Sequence, residues 1–277
     1  MFPIIMTSLA AWIGVDSRVS SSFYLVSDSR INWGQRNITW DYGRKLFASQ
    51  RYPDIFGYCG DVLFPSLVLS QIISLVDSGL LFLQVEKPSE RFKKISDLIK
   101  KSFDELPYNA QNPFTVAYCS RLNEGMASTF EFYTLNWNFK DGWITSQLQL
   151  PSHSDLVLSL GSGRNSIEAS NLRWQATEVK GTSRSVFSAF CDSLKSGLDP
   201  FTGGAPQLVG IYRKEAAKNF GIIFNDQRYL FGLPVEENEN LKSVEWRNCL
   251  FEISNPETKQ RQINAQPQPR PKSLREN

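Results

Sequence analysis

Residues 7–14 read TSLAAWIG, residues 25–31 read LVSDSRI and residues 43–47 read GRKLF, and these three segments decide the fold. The first two are apolar runs of the kind found in buried β-strands. The polar stretch between them predicts a hairpin loop. An acidic residue follows the second strand, and a lysine follows that acid 17 residues later, at the start of a further strand.

Three residues of these segments, Thr7, Asp28 and Lys45, carry a possible chemistry. A hydroxyl is a poor nucleophile until a base takes its proton. An α-amine, with a reference pKa of about 8, can act as that base near neutral pH. If the peptide bond before Thr7 is cut, this residue supplies both nucleophile and base. The carboxylate and the ammonium can then hold and charge the site.

The composition indicates one large domain, with or without a tail. The chain has 277 residues, of which 30 are basic and 28 acidic. Without residues 256–277 the counts are 25 and 26, so the charge does not indicate a nucleic-acid partner. No run of eighteen apolar residues is present, and the first six residues lack the features of a signal peptide. We therefore expect a cytoplasmic protein without a membrane span.

Histidine and cysteine usage argues against several classes of site. The lone histidine, His153, lies in a polar turn, which gives little basis for a Ser-His-Asp or Cys-His enzyme or a histidine-rich metal site. No two cysteines have the Cys-x-x-Cys spacing of a zinc or redox site, so we expect buried thiols. These cysteines are Cys59, Cys119, Cys191 and Cys249. We expect neither a metal nor an organic cofactor.

The order of the elements predicts the fold class. Strands, two helices, strands, two more helices and short closing strands follow one another, which favours a layered α+β domain. The predicted helices cover residues 61–83, 88–106, 164–177 and 183–198. From residue 256 the composition changes to glutamine, proline and basic residues, so we expect residues 256–277 to be a disordered tail.

Five segments after Thr7 resemble, in the same order, segments of proteasome β-subunits and their simpler bacterial relatives. That family consists of amino-terminal-nucleophile (Ntn) hydrolases. The segments are DSR at residues 28–30, GRKLF at 43–47, GYCGD at 57–61, GSG at 161–163 and DPFTGG at 199–204. Each is a weak match alone, but together they cover about residues 7 to 212 in the family's order.

The resemblance implies a four-layer αββα sandwich and a threonine-type peptidase that works through an acyl-enzyme on Thr7. It implies that Asp28 holds Lys45, whose charge favours the ionised nucleophile. It also implies that the Gly57 N–H group faces the oxyanion. The remaining implied site residues form a hydrogen-bond network around the α-amine: Ser162, Asp199 and Thr202.

The resemblance also implies a substrate pocket and an assembly. Ile31, Ile55 and Cys59 match positions that line the family's primary specificity pocket, and their apolar character indicates cleavage after apolar or aromatic residues. The partners that follow are a peptide or protein substrate and further copies of the chain in a homo-oligomeric ring, with an ATPase or other activator as a further candidate.

Activation is where this sequence departs from the family. Family prosegments usually end in glycine, whereas Met6 precedes Thr7 here. Either residues 1–6 are a short prosegment that is removed autocatalytically, or translation begins at Met6 and an aminopeptidase removes it. The catalytic domain then covers residues 7–255.

Several alternatives stay open at the level of sequence. The acid and the lysine could form a surface ion pair, and Ser162 could simply cap a helix. The protein could be an Ntn amidase that acts on a small amide or a single modified partner. It could also be a non-catalytic β-like subunit that assembles with others.

Overall fold

The computed structural model describes residues 7–17, 19–33, 38–83 and 86–275. In chain order the strands are β1 (Ser8–Val15), β2 (Ser20–Ser27), β3 (Ile31–Trp33), β4 (Ile38–Trp40), β5 (Leu46–Ala48), β6 (Asp54–Gly60), β7 (Phe114–Leu122), β8 (Thr129–Asn138), β9 (Gly142–Leu148), β10 (Asp155–Gly161), β11 (Gln207–Tyr212), β12 (Lys218–Phe224), β13 (Gln227–Leu230), β14 (Leu233–Pro234), β15 (Glu245–Asn248) and β16 (Ile253–Ser254). The helices are α1 (Leu63–Asp77), α2 (Pro88–Asp104), α3 (Arg164–Gln175) and α4 (Ser183–Lys195).

The strands form two main sheets and one small hairpin. The larger sheet has the order β10-β1-β2-β11-β12-β13-β14, with β15 pairing parallel to β12 and β16 pairing with β15. The second sheet has the order β5-β6-β7-β8-β9, and all its pairs are antiparallel. β3 and β4 form a separate two-stranded sheet. The hairpin predicted around residue 18 is present as β1 and β2, which lie next to each other inside the larger sheet.

Three apolar clusters hold these elements together. Alternate residues of β1 face opposite sides, because successive side chains of a strand point to opposite faces. Trp12 packs with Phe187 of α4, whereas Leu9 packs with Ile55 of the second sheet. The third cluster joins the second sheet to α1 and α2, for example through Phe56. The predicted α+β class and the predicted order of strands and helices are confirmed.

The first helix is shorter than predicted. α1 ends at Asp77 rather than near residue 83, and Gly79 follows with a φ of +73°. This left-handed conformation ends helices and favours glycine. The Asp77 carboxylate accepts a hydrogen bond from the Ser49 hydroxyl at 2.5 Å, which ties the end of the helix to the loop after β5. The apolar residues beyond Gly79 therefore belong to a loop.

The C-terminal segment also differs from the expectation. We expected residues 256–277 to be disordered, but the described part of this segment, residues 256–275, contacts α3 and α4. Arg270 donates two hydrogen bonds to the Asp192 carboxylate, at 2.9 and 2.6 Å, and its guanidinium lies 5.5 Å from the Trp174 ring centroid. A bidentate arginine–carboxylate pair fixes geometry as well as contributing energy. Composition alone does not reveal this contact.

Within the described residues, no helix is long and apolar enough to cross a membrane. The proposed prosegment, residues 1–6, lies outside the described residues.

Candidate active site

The centre of the candidate site is the carboxylate of Asp28, directly after β2. Its Oδ1 atom accepts hydrogen bonds from the Ser8 N–H at 3.0 Å and from Lys45 Nζ at 2.7 Å. Its Oδ2 atom accepts from the N–H groups of Arg30 at 3.2 Å and Gly203 at 3.1 Å. One carboxylate thus joins four separate parts of the chain next to Thr7.

Lys45 is buried with its partner. The side chains of Lys45 and Asp28 are both 0% exposed, and Lys45 Nζ also donates to the Arg30 carbonyl at 2.6 Å. The alternative of a surface ion pair is therefore excluded. A buried ion pair has a large desolvation cost and gives little net stability, so its presence here favours a role beyond stability.

Gln207, at the start of β11, holds the Asp28 and Lys45 segments together, and sequence reasoning missed it. Its Nε2 atom donates to the Asp28 carbonyl, the Ser29 hydroxyl and the Gly43 carbonyl, at 3.2, 2.9 and 2.7 Å. Its Oε1 atom accepts from the Lys45 N–H at 3.1 Å. One feature of the sequence could have indicated this role, because Gln207 is a polar residue at the first position of an otherwise apolar strand.

Thr7 lies immediately before β1 and is completely buried. Ser8 pairs with Gly161 at the end of β10. Gly161 has a φ of +90°, and a Cβ atom added to it would lie 1.7 Å from the Thr7 carbonyl oxygen. A Cβ atom on Gly163 would lie 1.8 Å from the Ser8 hydroxyl oxygen. The glycines of the GSG segment therefore allow this turn to approach Thr7.

The predicted network residues lie on two loops that meet at this point. Thr202 is buried, and its methyl carbon would lie 3.0 Å from a Cβ atom on Gly163. Within the described part of the chain, the Ser162 hydroxyl and the Asp199 Oδ2 atom are buried without a hydrogen-bond partner. The residue that caps α3 is Gly163, with no side-chain cap, so Ser162 does not serve as the helix cap.

Gly57 is placed differently from the other predicted site residues. It lies inside β6, paired with Leu46 of β5 on one side and with Ala117 of β7 on the other. A Cβ atom on Gly57 would lie 2.7 Å from Leu9 Cδ1, so the glycine permits close packing of the two sheets. The structure does not bring Gly57 into the Thr7 group.

Cys59, two residues further along β6, does reach the site. Its Sγ atom would lie 3.1 Å from a Cβ atom on Gly161. Burial raises the pKa of the Cys59 thiol to about 12, although the nearby Lys45 charge acts in the opposite direction. The thiol is therefore neutral at physiological pH and acts as a small apolar group.

A cavity of about 700 Å³ lies beside the site, between the β3–β4 hairpin and the start of α1. Ile31, one of the three predicted pocket residues, is among its lining residues, together with Trp33 and Trp40 of the hairpin. Ile55 instead packs between the two sheets.

His153 is exposed and lies 3.5 Å from Asp155, away from these groups. Among the described residues, no group of three or more His, Cys, Asp or Glu side chains is placed to hold a metal ion.

Comparison with known proteins identifies the fold. The sequence matches no known protein-family profile and no curated protein sequence. Anbu from Yersinia bercovieri, described as an ancestral β-subunit, aligns with a TM-score of 0.51 and 13% identity over 76% of this chain and 86% of that chain. An Anbu Gly-1 mutant from Hyphomicrobium sp. strain MC1 gives a TM-score of 0.51 and 12% identity over 77% and 86%.

Eukaryotic HslV from Trypanosoma brucei aligns with a TM-score of 0.46 and 13% identity over 74% of this chain and 99% of that chain. At such identities the two Anbu structures establish a shared fold and nothing about activity. The predicted resemblance to proteasome-like Ntn hydrolases is confirmed at the level of the fold.

Proposed function

We propose that this protein is a threonine-type peptidase whose nucleophile is Thr7. The observation that carries the proposal is the buried Asp28–Lys45 pair, which hydrogen-bonds to the residue next to Thr7. Because a buried ion pair adds little net stability, this pair is a candidate for a functional site. The shared fold with the Anbu structures supports the same reading.

The base in this proposal is the α-amine that appears when the bond between Met6 and Thr7 is cut. The unpartnered Ser162 hydroxyl and Asp199 Oδ2 atom support this step. A buried polar atom without a partner costs about 1–3 kcal/mol, so a group that supplies a hydrogen bond at this position is favoured. A newly formed amine beside Thr7 would give both of them a hydrogen-bonding group.

The reaction then has two steps. The amine takes the Thr7 hydroxyl proton, directly or through one water, as the oxygen attacks the peptide carbonyl. The carbon–nitrogen bond breaks, the leaving amine receives the proton, and an ester to Thr7 remains. Water, activated by the same α-amine, hydrolyses this ester and restores the hydroxyl. The Lys45 charge stabilises the anion that develops at each stage.

The oxyanion donor is assigned to the end of β6 rather than to Gly57. The N–H of Tyr58 donates to the Lys45 carbonyl at 3.3 Å, so pairing with β5 stops there. Cys59 and Gly60 continue β6 beyond this point. Successive N–H groups of a strand point to opposite sides, so the Cys59 N–H faces its β7 partner Thr115. The Gly60 N–H lies on the side of β5 and Lys45, which makes it the better candidate.

The same proposal includes the finer architecture and the assembly. We interpret the three apolar clusters as the contacts between four layers, αββα, within a catalytic domain of residues 7–255. Exposed leucines of α1, including Leu67 and Leu75, form an apolar face that a neighbouring subunit of a homo-oligomeric ring would cover. A cytoplasmic location, processing of residues 1–6 and an activator partner belong to the proposal as well.

Intact mass combined with active-site labelling tests the function. A peptide epoxyketone bonds to both the hydroxyl and the amine of an N-terminal threonine, so it should add one equivalent to a chain that begins at Thr7. A purified protein that retains Met6 has no free nucleophile and would instead support the non-catalytic subunit. Loss of Met6 without labelling or peptide hydrolysis would contradict the proposed peptidase.

A further inference from the structure

The cavity between the β3–β4 hairpin and the start of α1 contains one arginine in an unusual position. Arg44 lines the cavity, and its guanidinium carbon lies 4.5 Å from the centroid of the Phe47 ring and 4.3 Å from that of Phe231. Its Nε atom donates to the Leu46 carbonyl at 3.1 Å. Contact with ring faces leaves the in-plane N–H groups of a guanidinium free to bind a planar anion.

No carboxylate balances this charge. Within residues 7–17, 19–33, 38–83 and 86–275, Arg44, which is partly buried, has no acidic partner within ion-pair distance, whereas the more deeply buried Arg91 pairs with Asp54 at 2.9 Å. Burial lowers the pKa of the Arg44 guanidinium, and no neighbouring carboxylate opposes that effect. A partly desolvated cation without a partner is unfavourable by itself, which points to an anion supplied from outside the chain.

Among the described residues that line the cavity, Asp61 is the one acidic residue, and it is already engaged. The Asp61 carboxylate accepts a hydrogen bond from the Phe64 N–H at 3.0 Å, at the start of α1. Burial raises the pKa of the Asp61 carboxyl above its ordinary value, although hydrogen bonds from the N–H groups of that first turn act in the opposite direction. Asp61 therefore satisfies the helix terminus, and the four terminal N–H groups of Arg44 have no described acceptor.

The rest of the wall defines the surroundings of the anion. Trp33 and Trp40 line the same cavity with ring centroids 6.5 Å apart, and both are about half exposed. Leu63 and Leu67 of α1 line it as well. An occupant with one carboxylate and adjacent apolar groups matches this wall, and an acidic side chain within an otherwise apolar peptide segment has that chemistry.

We propose that Arg44 binds an acidic side chain of the peptide substrate, so that the enzyme selects segments with one glutamate or aspartate among apolar residues. That the occupant is a substrate rests on the proposed peptidase function. The inference changes the expected specificity, because the sequence alone indicated a wholly apolar pocket. Arg44 is a specificity-determining residue here and takes no part in bond cleavage.

The test uses the full-length protein and fluorescein-labelled heptapeptides of alanine, leucine and phenylalanine. One glutamate is placed at each position in turn, and each peptide has a glutamine counterpart. Fluorescence anisotropy measures Kd, and mass spectrometry of the same samples measures cleavage. The variants are Arg44→Gln, Arg44→Lys and the control Arg51→Gln. Arg51 also lies over an aromatic ring, that of Tyr52 at 5.6 Å, but it does not line the cavity.

For at least one position we expect the glutamate peptide to bind at least ten-fold more tightly than its glutamine counterpart, or to be cleaved with a ten-fold higher kcat/KM. Arg44→Gln should remove this difference, Arg44→Lys should retain part of it, and Arg51→Gln should leave it unchanged. Thermal unfolding verifies that each variant is folded.

The inference is overturned if glutamate and glutamine peptides have equal Kd and equal kcat/KM at every position. It is also overturned if the Arg44→Gln variant still prefers glutamate peptides. Failure of all peptides to bind overturns it too. Cleavage without a glutamate preference would leave the peptidase standing and remove this inference alone. If the protein binds glutamate peptides more tightly but cleaves none of the peptides, the anion site at Arg44 is supported and the peptidase function is contradicted.

Discussion

Replacement of Lys45 by methionine tests whether the buried ion pair serves catalysis. Lys45→Met keeps the length of the side chain and removes the ammonium, so Asp28 loses the buried cation with which it pairs. Breaking a buried pair in this way costs about 3–5 kcal/mol. Three backbone N–H groups still bind the carboxylate, so we expect the lower end, about 3 kcal/mol, of lost unfolding free energy.

The double variant Asp28→Asn/Lys45→Met separates stability from activity. A neutral pair of similar volume leaves no buried charge unpaired, but the new amide NH2 group faces at least one of the backbone N–H donors that bond to Asp28. We therefore expect the unfolding free energy to recover only in part and to stay about 1–3 kcal/mol below that of the wild type. Its kcat/KM should stay about 1,000-fold below the wild type, because the positive charge that stabilises the developing anion is still missing. Urea unfolding followed by tryptophan fluorescence gives the first quantity, and a fluorogenic peptide gives the second. A stable double variant that recovers hydrolysis would show that the pair is purely structural.

Four further predictions use other parts of the molecule. Thr7→Ala should abolish peptide hydrolysis and epoxyketone labelling while circular dichroism stays unchanged; turnover in the folded variant would place the nucleophile elsewhere. Gly161→Ala should lower the thermal midpoint and reduce activity, because the new Cβ atom would lie 1.7 Å from the Thr7 carbonyl oxygen and the φ angle at this position is +90°. A variant with the thermal midpoint and the activity of the wild type would contradict this contact. The raised pKa of Cys59, about 12, keeps its thiol protonated in the folded state, whereas a thiol in the unfolded chain ionises at about pH 8.5. The contribution of this thiol to the free energy of unfolding should therefore fall as the pH rises between those two values. Iodoacetamide at pH 8 should modify Cys59 only after unfolding. Light scattering should give an oligomeric mass for the full chain and also for a chain that ends at residue 255. A monomeric mass for the full chain would refute the ring. Dissociation of the shortened chain would show that residues 256–277 take part in the subunit contacts.

The sequence predicted those strands and helices in which the spacing of apolar residues matches the buried faces. The strands β1 and β2 are buried on both faces, so their apolar runs identified them. The helix α2 has one apolar face on the second sheet and lysines opposite, and its predicted bounds, 88–106, differ from the observed ones by two residues. Asp28 and Lys45 were found from spacing within the same segments, and the structure shows that they are paired and completely buried.

The parts that were not predictable depend on single contacts between distant residues. The strands β3 and β4 have three residues each and carry exposed tryptophans, so no apolar periodicity identifies them. Gln207 acts through hydrogen bonds to residues more than 160 positions away, and no local pattern reports such bonds. The C-terminal segment has the composition of a disordered tail, yet Arg270 binds the carboxylate of Asp192 on α4. Gly57 satisfied the family pattern, but its backbone is paired on both sides within the second sheet.

The position of the ion pair explains how a site can exist before the nucleophile is released. The hydrogen bonds that fix Asp28 come from Ser8 and from residues later in the chain, and Gln207 fixes the Lys45 backbone. None of these bonds requires the free α-amine. Under the proposed function, scission before Thr7 would add one amine to an arrangement that the folded chain already holds, so little reorganisation would accompany activation. Preorganised charge of this kind is the largest single contribution to many enzymatic rate enhancements, because it needs no rearrangement when the anion forms.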